Sequence, residues 1–173
     1  MKPNSIQQNQ LWSEDRWSGH YAHVTFYQCY WQDMVFDDTR FSHCTFYHCH
    51  WGNCIFFNTQ WQRVMVYHGD MNAMTFEENQ LHNTTFQNTA WQCVRIINSV
   101  CLGVGFHHTN LRNSGLEMSH CTECLFDQCD METCDAILQR QNRLTVLPLQ
   151  TKPAIDPFLS QQQQWEQQHG LSV

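Results

Sequence analysis

The stretch of residues 41–61 reads "FSHCTFYHCHWGNCIFFNTQW". Every fifth residue in it is large and apolar: Phe41, Phe46, Trp51, Phe56 and Trp61. Two places before most of them stands a small side chain: Cys44, Cys49, Cys54, Thr59. A helix repeats near 3.6 residues and a strand at 2, so neither explains the spacing. Working outward, the large series holds one phase from Tyr21 to Met131, and no charged residue, Asn, Gln, His, Gly or Pro enters it. The small series runs alongside from Gly19 and Val24 to Cys129, with Asn79 as its one amide. The other three positions of each five carry nearly all the polar and charged side chains.

This pattern describes a coil with two inward residues in every five. The large one fills the centre, the small one fits where the wall turns, and three point to water. One such unit buries too little apolar surface to stand alone, so units must stack. The segments "CTFYH", "CHWGN", "TTFQN" and "CLFDQ" have a small residue, a polar one, a large apolar one and two polar ones. In this the chain resembles the pentapeptide-repeat proteins, over roughly residues 19 to 134. The resemblance implies an all-β fold: a right-handed, quadrilateral parallel β-helix of about 20 residues per coil and about 5.5 coils. This chain uses Phe and Trp where the family commonly has Leu, and Cys, Thr or Val where it commonly has Ala.

Stacking at 20 residues sorts the large side chains into four columns. The first holds Phe26, Phe46, Val66, Phe86, Phe106 and Phe126; the second begins Trp31, Trp51, Met71; the third Phe36, Phe56, Phe76; the fourth Tyr21, Phe41, Trp61. The sides carrying these columns are called here the first to fourth faces. Cys29, Cys44, Cys49, Cys54, Cys124, Cys129 and Cys134 fall in the small inward slot, Cys101 and Cys121 in the large one, and only Cys93 points outward. Free cysteine behaves as a small buried hydrophobe, so reduced, structural thiols are expected. Stacked pairs such as Cys29 and Cys49 would lie about 4.8 Å apart, a spacing that also permits a disulfide.

Function must reside on the outside. The net charge of −7 arises between residues 21 and 134, where acids outnumber arginines. Asp37, Asp38, Glu77, Glu78 and Glu117 share the third face, in alternate coils, and form a candidate acidic surface. On the first face Tyr27, Tyr47 and Tyr67 align, with His48 and His68 beside them. Exposed aromatic rows suit protein contacts, so these five, with Trp165 near the C-terminus, are candidate protein-binding residues. No catalytic residue, metal site or cofactor is expected. The histidines point outward while neighbouring cysteines point inward, and no nucleophile elbow, P-loop or dinucleotide-binding glycine pattern occurs. A negative surface disfavours direct nucleic-acid binding.

Residues 1–18 are expected to cap the first coil, with Leu11, Trp12 and Trp17 over its open end. Residues 135–173 form an extension in which a short helix is expected near 157–169, with Asp156 as N-cap and Pro157 at the first helical position. No apolar run is long enough to span a membrane and the N-terminus lacks a secretory pattern, so the cytoplasm is expected, with export by a signal-independent machine left open. Two readings of function follow. The first is a non-catalytic protein-interaction scaffold; the resemblance implies service to bacterial secretion machinery or an effector. The alternative is a DNA mimic that binds gyrase or another type II topoisomerase. The chain resembles the quinolone-resistance branch in its short rod, its "RWSGHYAHVTFYQC" opening and its terminal helix. That branch implies dimerisation through the C-terminal end. The scaffold ranks first because Phe57, Asn58, Ile97 and Asn98 interrupt the acids in the intervening coils.

Overall fold

The computed structural model describes residues 5–13, 15–117, 119–134 and 145–147. Short strands follow one another at five-residue intervals and pair only in parallel. From Thr25↔Thr45 onward the partner lies 20 residues away, so each coil sits in register on the one before. On the first face the ladder runs from Ser5–Gln8 through Val24–Tyr27, Thr45–Tyr47, Met65–Tyr67, Thr85–Gln87, Gly105–His107 and Leu125–Asp127 to Thr145–Leu147. The third and fourth faces join into one sheet because the strand Val35–Ser42 runs through the corner between them.

Two local rules hold each side to five residues. The residue two places after nearly every large one has positive φ, from His23 (57°) through Asn53 (50°) and Asn98 (49°) to Thr133 (65°). Left-handed backbone turns the chain after each three-residue strand, and Asn and Asp tolerate it better than most residues. That explains the asparagines at 53, 58, 83, 88, 98 and 113. It also places Cys93 at a corner (φ 56°), where it is exposed. Inside, most of the small residues that are Cys, Ser or Thr donate to a backbone carbonyl. Cys44 Sγ reaches Tyr21 O at 3.3 Å, Thr39 Oγ1 reaches Trp17 O at 3.1 Å and Ser119 Oγ reaches Ile96 O at 3.1 Å. These residues are therefore more than small: each carries a donor for a carbonyl at the turn.

The large columns make the core. Phe26 stacks on Phe46 at 4.7 Å, Phe36 on Phe56 at 4.2 Å, and Phe106 on Phe126 at 4.8 Å. Val66 interrupts the first column, and Trp61 from the fourth leans toward the gap, 5.8 Å from Phe46 and 6.3 Å from Phe86. Cysteines 29, 44, 49, 54, 101, 121, 124 and 129 are buried, and no disulfide joins cysteines among the described residues. Burial pushes the Cys54 and Cys129 thiols up to about 11. Cys49 also lies well above its ordinary value, because of burial and the thiol it shares a hydrogen bond with, Cys29.

The N-terminal strands continue the solenoid with a different offset. Ser5 pairs with Val24, Leu11 with Tyr30 and Arg16 with Val35, each 19 residues away, and the register shifts to 20 between Trp17 and Gly19. The slip puts Trp12 on Trp31, stacked at 5.1 Å, and Trp17 edge-on to Phe36 at 5.5 Å. Leu11, expected to help cover the coil, is 73% exposed instead. The helix expected near 157–169, together with Trp165 and the dimerising C-terminal end, lies outside the described residues. Among the described residues no helix is long and apolar enough to cross a membrane.

Candidate protein-binding surface

The faces differ in what they leave exposed. On the first, the expected open row of aromatics requires correction. Tyr27 and Tyr47 occupy outward positions yet are buried, at 3% and 8% exposure, and Tyr67 is half-buried. Phe57, at the same place in its repeat on the third face, keeps 37%. Tyr47 and Tyr67 stack at 4.9 Å, His48 and His68 at 5.1 Å, and Tyr27 meets His48 edge-on at 6.0 Å. Cross-strand stacking of this kind packs a sheet surface, and neighbouring Thr25 and Gln87 are buried as well. Tyr27 and Tyr47 therefore offer little open ring to a partner.

The third face presents the reverse. Its outward ladder pairs Asp37 with Phe57, Phe57 with Glu77, Glu77 with Ile97 and Ile97 with Glu117. Apolar and acidic side chains alternate coil by coil. The parallel column, on the other side of the central phenylalanines, sets Ile55 between Val35 and Thr75. Ile55 is 42% exposed, so Ile55 and Phe57 flank buried Phe56 as a pair of open hydrophobes.

The acids around this apolar centre are mostly occupied. Asp37 pairs with Arg16 at 3.0 Å, and Glu117 takes Arg95 through both Nε (2.9 Å) and Nη2 (2.7 Å). The Asn58 amide donates to Asp38. Only Glu77 and Glu78 on this face have no side-chain ion pair or hydrogen bond among the described residues. The same economy holds on the second face, where Arg112 spans Asp130 (2.7 Å) and Glu132 (2.8 Å) and His50 meets Asp70 at 3.0 Å. Most of these acids are thus held in place by a neighbouring side chain, while arginines offset only part of their charge. The sequence identified the five acids, but the partners of Asp37 and Glu117 lie about a coil away and follow from the 20-residue stacking. The apolar centre was visible only as an interruption of the acidic row.

The five-residue period, the 20-residue parallel register and the stacked interior columns make the chain a pentapeptide-repeat β-helix. No family model matches it, and no curated protein does. Among solved structures it is similar to HetL, a pentapeptide-repeat protein involved in heterocyst differentiation regulation from the cyanobacterium Nostoc sp. strain PCC 7120. The identity is 9% and the TM-score 0.40, over 84% of this chain and 90% of that one. It is also similar to a trypsin-treated variant of QnrB1, a plasmid-mediated fluoroquinolone resistance protein, at 12% identity and TM-score 0.40, over 98% and 97%. A third, the pentapeptide-repeat protein Rfr23 from the cyanobacterium Cyanothece 51142, gives 11% and 0.27, over 83% and 88%. At these identities and scores the neighbours carry no argument about function, and the assignment to this class rests on the chain's own period and register.

Proposed function

We propose that the protein is a non-catalytic interaction scaffold whose third face docks a partner protein. The observation that carries this is the pair Ile55 and Phe57, exposed side by side and bordered by Glu77, Glu78 and the paired Asp37. An apolar centre inside a polar rim is the usual anatomy of a protein contact. A matching partner carries an apolar knob with basic side chains around it. The rigid ladder of backbone hydrogen bonds beneath the face holds its geometry, so binding orders little on this side. A bacterial secretion component or an effector is the partner class that the family resemblance suggests.

The DNA-mimic reading rests on Glu77 and Glu78, the acids of this face with neither ion pair nor side-chain hydrogen bond among the described residues. A mimic needs charge where a topoisomerase expects phosphates, and its binding weakens steeply with salt. Supercoiling by purified gyrase, with and without a quinolone, across a titration of this protein separates the two. The scaffold reading expects supercoiling and drug sensitivity to stay unchanged. Inhibition or drug protection that is lost in the Glu77→Gln/Glu78→Gln double variant and kept in Phe57→Ala would put the mimic in its place.

A further inference from the structure

The fourth face carries a feature that neither reading uses. Its outward columns near the N-terminal end place His20 beside Arg40 and Arg40 beside Gln60, while the corner stacks His23 on His43 at 4.8 Å. Arg63, next in that corner, donates from Nη1 to His43 Nε2 at 3.3 Å. His43 so held keeps its proton on Nδ1, where it remains a donor. His20 Nε2 lies 3.2 Å from Ser42 Oγ. Between these side chains is a concavity of about 300 Å³ floored by Phe41 and edged by His20, His23, Arg40, Ser42 and His43.

Two things set this cleft apart from the rest of the rod. The first is its charge. The described arginines 16, 95 and 112 each pair with a carboxylate, whereas among the described residues Arg40 has no ion pair and Arg63 only its histidine. No carboxylate lines the concavity. In a chain of net charge −7, an acid-free site next to two uncompensated guanidiniums is a departure from composition. The second is its donor set. Guanidinium, imidazole, hydroxyl and amide groups (Gln60 and Gln62 complete the edge) converge on one hollow. Guanidinium presents a planar fork that matches two oxygens of a phosphate.

We propose that this cleft binds a phosphate-type oxyanion, with Arg40 as the principal charge and the His23/His43/Arg63 corner as its wall. The anion's oxygens would take N–H donors from Arg40 and the hydroxyl of Ser42. The same chemistry is offered by free inorganic phosphate or pyrophosphate and by phosphate carried on a larger molecule such as a nucleoside diphosphate. The site lies on a different face from Ile55 and Phe57, so it stands or falls independently of the docking surface.

The test is calorimetric titration of the full chain with inorganic pyrophosphate and, separately, with a nucleoside diphosphate, at constant ionic strength set by chloride. The expected result is saturable binding at one site per chain, weakened about tenfold by Arg40→Gln and less by Arg40→Lys, as loss of one charge-assisted contact implies. Arg112→Gln, which removes a cation already spanning two acids, should leave it unchanged. Equal affinity for the two probes assigns the site to the free anion, and tighter binding of the nucleotide assigns it to a carried phosphate. Absence of saturation up to about 10 mM probe, or equal weakening by Arg40→Gln and Arg112→Gln, would overturn the proposal. Arg40 is an exposed side chain on a sheet surface, and an unchanged melting curve for Arg40→Gln separates loss of the site from loss of the fold.

Discussion

Asn79 stands where every other coil puts Cys, Ser, Thr, Val, Met or Gly, and replacing it tests the inner wall most sharply. It is 1% exposed. Its Oδ1 accepts from Thr59 N at 2.6 Å and from Thr59 Oγ1 at 2.7 Å, and its Nδ2 donates to Phe56 O at 2.8 Å. Thr59 Oγ1 in turn accepts from Trp61 Nε1 at 3.1 Å, tying the amide to a core tryptophan. Asn79→Leu keeps the approximate shape and strands three buried polar groups: an amide N–H, a hydroxyl and a carbonyl. At about 1–3 kcal/mol for each such group, a loss of roughly 3–9 kcal/mol follows, with partial relaxation favouring the lower end. Asn79→Ser should cost far less, about 1 kcal/mol. In the next coil the Ser99 hydroxyl accepts from Asn79 N at 3.0 Å and contacts Phe76 O at 3.4 Å, and Ser119 repeats the pattern by accepting from Ser99 N at 3.3 Å. A serine at 79 can serve Thr59 N and Phe56 O in the same way. Urea unfolding followed by circular dichroism measures both, with an unchanged slope confirming a like-for-like comparison. A loss below about 1 kcal/mol for Asn79→Leu, or equal losses for the two variants, would show that the Asn79 amide is not what satisfies these groups.

Three further outcomes are expected. In the native protein a thiol reagent should modify Cys93 quickly and leave the described buried thiols, because access governs reaction along with thiolate character; rapid modification of Cys49 or Cys54, read by mass spectrometry, would contradict the inward assignment. Stability should fall as pH rises above about 9, since Cys54 and Cys129 keep their protons to about 11 when folded and lose them near 9.0 when unfolded. The unfolded state then binds fewer protons, and each of these thiols contributes a decline of up to about 1.4 kcal/mol per pH unit across that window; urea midpoints flat from pH 9 to 10.5 in the wild type would count against it. Trp91→Phe should cost less than Trp61→Phe by about 1 kcal/mol, because among the described residues the Trp91 indole N–H has no partner while that of Trp61 binds Thr59; thermal melting of the pair decides.

Most of the fold was legible because one phase runs unbroken from Tyr21 to Met131, and with the coil length suggested by the family resemblance it fixes which side chains share a column. The phase fails at the N-terminus for a physical reason: the register shift between Trp17 and Gly19 moves the inward positions to Trp12 and Trp17, whose own spacing of five was present in the sequence but out of step with Tyr21. The cysteine slots were legible from size alone; their role as donors to carbonyls in the preceding coil needed the turn geometry. The candidate surface was only half legible. Outwardness follows from the period, but exposure does not, and Tyr27 and Tyr47 are outward and buried. In the same way the acids at 37 and 117 could be counted, while Arg16 and Arg95, which neutralise them, come into reach only through stacking.

The claim that the third face docks a protein through Ile55 and Phe57 is tested most directly by a photo-reactive amino acid placed at position 57 and, as a control, at exposed Gln92 on the second face. A discrete cross-linked adduct is expected in cells from position 57 and none from 92. Loss of the adduct is expected when Ile55→Glu is added, with the melting temperature unchanged, since a central apolar contact carries about 2 kcal/mol or more of such an interface. An adduct that survives Ile55→Glu and disappears in Glu77→Gln/Glu78→Gln, or no adduct from position 57 at all, would contradict it.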